Sequence, residues 1–333
     1  MKKMLLALLT LSLSPLSARS QSTESKWPQD WLSAWELVNR RLLQLPSGQP
    51  PEMVFYDDAS VYTTSAVTAP AALPSNGPGM YGQSLLWRKA PHNDTLTLPD
   101  GQRVPVGLMS FAASTPEGKS FFVMAAPPFW EAAGITSNEF TLNKMLTGVF
   151  LHEFTHTRQQ KGFGRQVDSI ERAHAFTDVP LTDDIVQGYF KADSEYVRKF
   201  REEVDAFYTA AFAADQQQAK DAVRKGLALL KARQTKYFTG NKMVLNRLDG
   251  IFLSMEGLGQ YVAVYWLMRP EGGNVDRDAA ISGFRRKRNQ WSQEEGLAMF
   301  LALTRLGEQD WVKDQFSERP QTIVELLERA TSK

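Results

Sequence analysis

The 333 residues carry 38 Lys and Arg against 37 Asp and Glu and are 43% hydrophobic, enough apolar side chain to bury a large core in one sizeable domain or two smaller ones. The near-zero net charge argues against a general polyanion binder, so no nucleic-acid partner is expected. The lack of cysteine excludes disulfides, thiolate metal sites and a cysteine nucleophile.

The first stretch, MKKMLLALLTLSLSPLSARSQS, has Lys2 and Lys3, an apolar run from Met4 to Leu13, and a small-x-small pair at Ala18 and Ser20. This is the layout of a secretory signal peptide over residues 1–20. The apolar run falls well short of the roughly 20 residues needed to cross a bilayer, so no stable membrane anchor is expected after cleavage. The expected location is the periplasm or the exterior of the cell. Without Lys2, Lys3 and Arg19 the mature chain holds 35 basic against 37 acidic residues, a net charge of −2.

In WPQDWLSAWELVNRRLLQL, Trp31, Trp35, Val38 and Leu42 recur at helical spacing, and PSGQPP at 46–51 ends the helix. From Met53 to about Ala126 the texture changes to short β-rich runs, among them VFYDD, SVYTT, RVPVGLMSF and SFFVMAA, which predict an antiparallel sheet. Within it, residues 65–80, SAVTAPAALPSNGPGM, read as a long surface connection; a flap over a cleft is the alternative. After Gly134 the spacing predicts helices near 138–160, 182–212, 214–235, 241–268, 292–306 and 320–331. Ser292 and Glu295 match a capping box at the start of one of these. The run Arg285 to Arg288 reads as a solvated helix face. The expected class is α+β: an N-terminal helix and antiparallel sheet over 21–135, and a helical region over 136–333, the two forming one catalytic unit.

The chain has four histidines, and two of them lie in VFLHEFTH, Val149 to His156. On a helix His152 and His156 are one turn apart on one face, so both imidazoles can reach one Zn²⁺, and Glu153 beside them can act on a metal-bound water. The neighbours Thr147, Gly148, Val149, Phe150, Leu151, Phe154, Thr155 and Thr157 are uncharged, as expected of a buried helix. The competing reading is a hydrogen-bonded pair of core histidines. His92 in KAPHND reads as a surface residue.

The stretch HEFTH resembles the zincin metallopeptidases. A metzincin would carry Gly and His three and six residues after His156, where this chain has Gln159 and Gly162. A gluzincin takes a glutamate from a later helix; the short-spacer position holds Ala175 and Phe176, and Glu171 is too near. The segment DGIFLSMEGLGQYVAVYWL resembles the third-ligand helix of gluzincins with a longer spacer, which points to Glu256. It is the only acid between Asp249 and Glu271, in a segment apolar enough to be core, where an isolated carboxylate calls for a cation. Gly257 and Gly259 would let this helix approach the histidine helix closely. Gln260 stands where many gluzincins carry an acid behind the ligands, and Asp249, two turns before Glu256, could orient a ligand histidine instead. Glu202 or Glu203 in REEVDAFYTAAFA, and less so His174, are rival third ligands; the charge around the two glutamates suits a solvated helix.

The resemblance implies hydrolysis by a zinc-activated water, with Glu153 as general base and Tyr261 or Tyr265 as candidate donors to the oxyanion. SFFVMAAPP holds the chain position of the zincin edge strand that pairs with an extended substrate, implying a peptide or protein substrate. A zinc hydrolase of a non-peptide amide and a non-catalytic metal-binding interaction protein are the alternatives.

Overall fold

A computed structural model of the chain describes residues 26–332, positions 288 and 309 excepted; the expected signal peptide lies outside the described residues. The class is α+β, a strand-rich N-terminal part followed by a mainly helical one. The chain divides into two compact units, one running to Arg158 and including Val262–Gly283, the other formed by Gln159–Tyr261 and the residues from Phe284 on.

In the first unit the Trp-rich segment forms α1 (Trp27–Val38), which runs into a π turn over Asn39–Leu43. Six strands follow in one sheet, β1 (Glu52–Tyr56), β2 (Ser60–Thr63), β3 (Pro74–Ser75), β4 (Trp87–Pro91), β7 (Ser110–Ser114) and β8 (Ser120–Ala125), in the order β3-β4-β2-β1-β8-β7. A small hairpin of β5 (Thr95–Thr97) and β6 (Arg103–Pro105) stands apart from it. The sheet is mixed, which corrects the expectation of an antiparallel one: β1 and β8 pair in parallel, Val54 opposite Val123. Both are near-continuous apolar runs, EMVFY and SFFVMA, because both faces of the sheet are covered there. Val54, Tyr56, Phe121 and Val123 pack with Leu96, Leu98, Met109 and Phe111 on one face; Phe55 and Phe122 are turned to the other.

β8 is also not the edge strand expected of SFFVMAAPP. It is hydrogen-bonded to β1 on one side and β7 on the other, so it has no free edge for a substrate; the edge strand beside it is β7. The connection at 65–80 is also more firmly held than expected. Pro74 and Ser75 pair with β4, Ala69 and Met80 are buried, and Tyr81 accepts from Trp35 Nε1 at 2.6 Å while its backbone N–H donates to Glu36.

α2 (Pro127–Ala132) leads to α3 (Leu142–Gln159), the helix that carries HEFTH. Aromatic rings fix it in the first unit. Trp31 stacks on Phe150 at 5.4 Å, Trp35 meets Phe154 edge-on at 4.9 Å, and Phe122 meets Phe150 and Phe154 edge-on at 5.3 and 5.8 Å. Such ring pairs add roughly 0.5–1.5 kcal/mol each beyond area burial. The apolar face of α3 is thereby pinned between α1 and β8, which sets the orientation of the histidines one turn apart.

A π turn over Gln160–Gly164 separates α3 from α4 (Arg165–Ala173). The helix expected over 182–212 is two, α5 (Ile185–Phe190) and α6 (Ser194–Ala211), because Asp193 caps the second by accepting from the Glu195 and Tyr196 N–H groups. α7 (Gln216–Tyr237), α8 (Leu245–Met268), α9 (Arg277–Phe284), α10 (Trp291–Arg305), α11 (Trp311–Gln315) and α12 (Ile323–Ser332) complete the chain. α9 and α11 are too short to show a clear period in sequence.

In the second unit α8 and α10 meet backbone to backbone. A Cβ on Gly296 would lie 2.6 Å from Gly257 Cα, and one on Gly257 would strike Gly296, so only glycine fits at this crossing. Gly257 therefore serves contact with α10. The capping box expected at Ser292 and Glu295 is absent: α10 starts a residue earlier, its N-cap Gln290 is left-handed without a side-chain cap, and Ser292 N–H and hydroxyl both donate to Asp184. The box forms instead at Thr322 and Glu325, before α12.

Candidate metal site

α3 brings together His152, Glu153 and His156: one potential ligand atom from each lies within 4.8 Å of the others. The imidazoles are 4% and 6% exposed, Glu153 is half-buried, and the rings stand at 90° with Nε2 of His152 and Nε2 of His156 3.1 Å apart. Thr147, Thr155 and Thr157 each return their hydroxyl to a backbone carbonyl of the same helix at 2.7–2.9 Å, which lets a polar-looking stretch be buried. The group could hold a metal ion.

Glu256 lies on α8 in the second unit and is 6% exposed. Its Oε2 accepts from Gln293 Nε2 at 3.1 Å. Gln293 Oε1 accepts in turn from Gln260 Nε2 and, at 3.1 Å, from Arg286 Nε. Gln260 thus has an amide partner where gluzincins often have an acid.

The rival ligands are committed elsewhere. Glu202 is exposed and paired with Arg198 at 2.6 Å. Glu203 is fully buried, contrary to the solvated face expected, and takes a two-pronged bond from Arg233, Nε to Oε2 and Nη2 to Oε1, both 2.8 Å. Arg233 Nη2 also reaches Asp249 Oδ2 at 3.2 Å and lies 3.6 Å from Glu295 Oε2. Asp249, which further accepts from Gln234 at 3.0 Å, is thereby held in a buried ion network, which corrects its expected role as orienter of a histidine. His174 is exposed at the end of α4. His92 is not a plain surface residue: its ring, with Nδ1 buried, lies 2.9 Å through Nε2 from the Asp57 carbonyl. Tyr261 is a core ring packed on Phe300 and Trp311, while the Tyr265 hydroxyl donates to the Arg41 carbonyl at 3.4 Å.

The arginine run is also not a solvated helix face. Residues 285–287 lie beyond the end of α9, where Arg285 grips buried Glu294 through Nε and Nη2 at 2.8 and 2.6 Å, and Arg286 is tied to Gln293. Sequence reading missed Gln293 and Asp184. The available signal for Gln293 was SQEEG, five small or polar residues ahead of the apolar run LAMFLAL in α10.

Burial pushes the Asp184 carboxyl up to about 6; the Ser292 N–H opposes this and the charge of Glu256 adds to it. The folded value is above the ordinary 3.8, so the associated stability is fully present below about pH 4 and lost as pH rises through about 6. A shift of this size is worth about 3 kcal/mol. In chelator-treated protein, Asp184→Asn should therefore gain about that much on the wild type between pH 4 and pH 7.5, by urea unfolding at each pH. A wild-type-to-variant difference that stays constant with pH would refute the burial argument.

No protein-family model matches the chain, and no curated protein or solved structure is significantly similar to it.

Proposed function

We propose that the protein is an exported zinc-dependent hydrolase acting as a metallopeptidase, with zinc held by His152, His156 and Glu256 and with Glu153 as general base. The observation that carries this reading is the convergence of the two Nε2 atoms at 3.1 Å with Glu153 alongside. Two nitrogens sharing one tetrahedral zinc at about 2.0–2.1 Å stand about 3.3 Å apart, so the pair needs almost no rearrangement. Glu256 enters through the likeness of its segment to a gluzincin ligand helix and through its burial; the Arg198 and Arg233 pairings of Glu202 and Glu203 favour it over those two. Export rests on the character of residues 1–20.

Zinc, when bound, supplies a Lewis acid that polarises a carbonyl and lowers the pKa of a water to about 7. Glu153 takes the proton from the attacking water and delivers it to the departing amide nitrogen. Burial of both imidazoles limits competing hydration, and the aromatic clamp on α3 holds their rings in place, since a site of this kind loses function when its geometry is loose.

The test is to incubate zinc-loaded protein with a mixed peptide library and sequence the products. New termini at internal positions are the expected result. Intact peptides, together with release of amine from a non-peptide amide, would move the substrate to the other hydrolase class.

A further inference from the structure

We infer that Gln293 is the positioning residue for the Glu256 carboxylate; this rests on the reading of Glu256 as the third ligand. Arg286 can only donate, so its Nε at 3.1 Å compels Gln293 to present Oε1 to it. The amide orientation is thereby set, and Nε2 must face Glu256 Oε2, 3.1 Å away. Gln260 Nε2 donates to the same Oε1 and keeps the amide from rotating. All three side chains of the Glu256–Gln293–Gln260 chain are buried.

The backbone supports the same contact. Glu256 is next to Gly257, Gln293 is one turn before Gly296, and it is Gly257 and Gly296 that bring α8 and α10 into direct touch. A larger residue at either glycine would separate the amide from the carboxylate. The chemistry of the donor also suits a metal ligand. A neutral amide orients a carboxylate and holds one oxygen without adding a positive charge that would compete with a cation.

The experiment is a double-mutant cycle on zinc affinity, measured by chelator competition on the full mature chain, with urea unfolding of each zinc-free variant as a check on folding. Gln293→Met, similar in length and without a donor, should weaken zinc binding about 10- to 100-fold in the otherwise wild-type protein and by less than about 3-fold in the Glu256→Ala background. An equal loss in both backgrounds would mean a general structural role and overturn the inference. So would an unchanged affinity in Gln293→Met while Glu256→Ala binds weakly, a result that leaves the third-ligand reading standing. Unchanged affinity in Glu256→Ala would instead remove that reading and the inference with it. Should Gln293→Met fail to fold, Arg286→Met, which frees the amide orientation from outside the core, goes through the same cycle with the same outcomes.

Discussion

Glu153→Gln is expected to keep its zinc and to lose hydrolysis by about 10²- to 10⁴-fold, the usual contribution of a positioned general base. The two effects separate because His152 and His156 are the buried, converging pair, whereas Glu153 follows His152 in the helix and is only half-buried. Glutamine keeps the size of the side chain and removes its ability to accept a proton, so Michaelis parameters and metal content measured on one preparation distinguish the roles. Turnover at the wild-type level would place the chemistry on another residue.

The second large effect is on stability. Arg233 is 1% exposed and is the cation facing three buried acidic side chains, Glu203, Asp249 and Glu295, while its Nη1 donates to the Tyr196 hydroxyl at 2.6 Å. Burial alone would lower its pKa; Asp249 and Glu203 hold it well above the ordinary value, so it stays charged. Arg233→Ala leaves Glu203 buried without its two-pronged partner and should cost about 3–5 kcal/mol in urea unfolding at neutral pH. Glu295 offers the control. Burial and the neighbouring Glu203 hold its carboxyl well above the usual range, which favours the protonated form, so Glu295→Gln is expected to change stability by less than about 1 kcal/mol. A loss in Glu295→Gln as large as that in Arg233→Ala would show that Glu295 is ionised in the folded protein.

The histidine helix was legible because local pattern and chemistry coincide there: a one-turn histidine spacing, uncharged neighbours and phenylalanines on the opposite face all survive in α3. The α+β class was legible for the same reason, as strand-length alternation gives way to helical periods near α3. What failed depended on distant partners. Glu203 sits among charges in REEVDAF and looks solvated until Arg233, thirty residues on, is folded against it. Ser292 and Glu295 have capping-box spacing, yet the cap is decided by the left-handed backbone of Gln290 and by Asp184, 108 residues before Ser292. The parallel pairing of β1 with β8 brings together strands more than sixty residues apart, and two apolar runs alone do not state their direction.

Metal content is the property on which the function of His152 and His156 turns most directly. Mature protein exposed to zinc, washed, and analysed by mass spectrometry for metal against chain should carry about one zinc per chain, and His152→Ala and His156→Ala, each confirmed as folded, should carry essentially none. A folded wild-type chain that takes up no zinc, or either histidine variant retaining a full equivalent, would contradict the central claim.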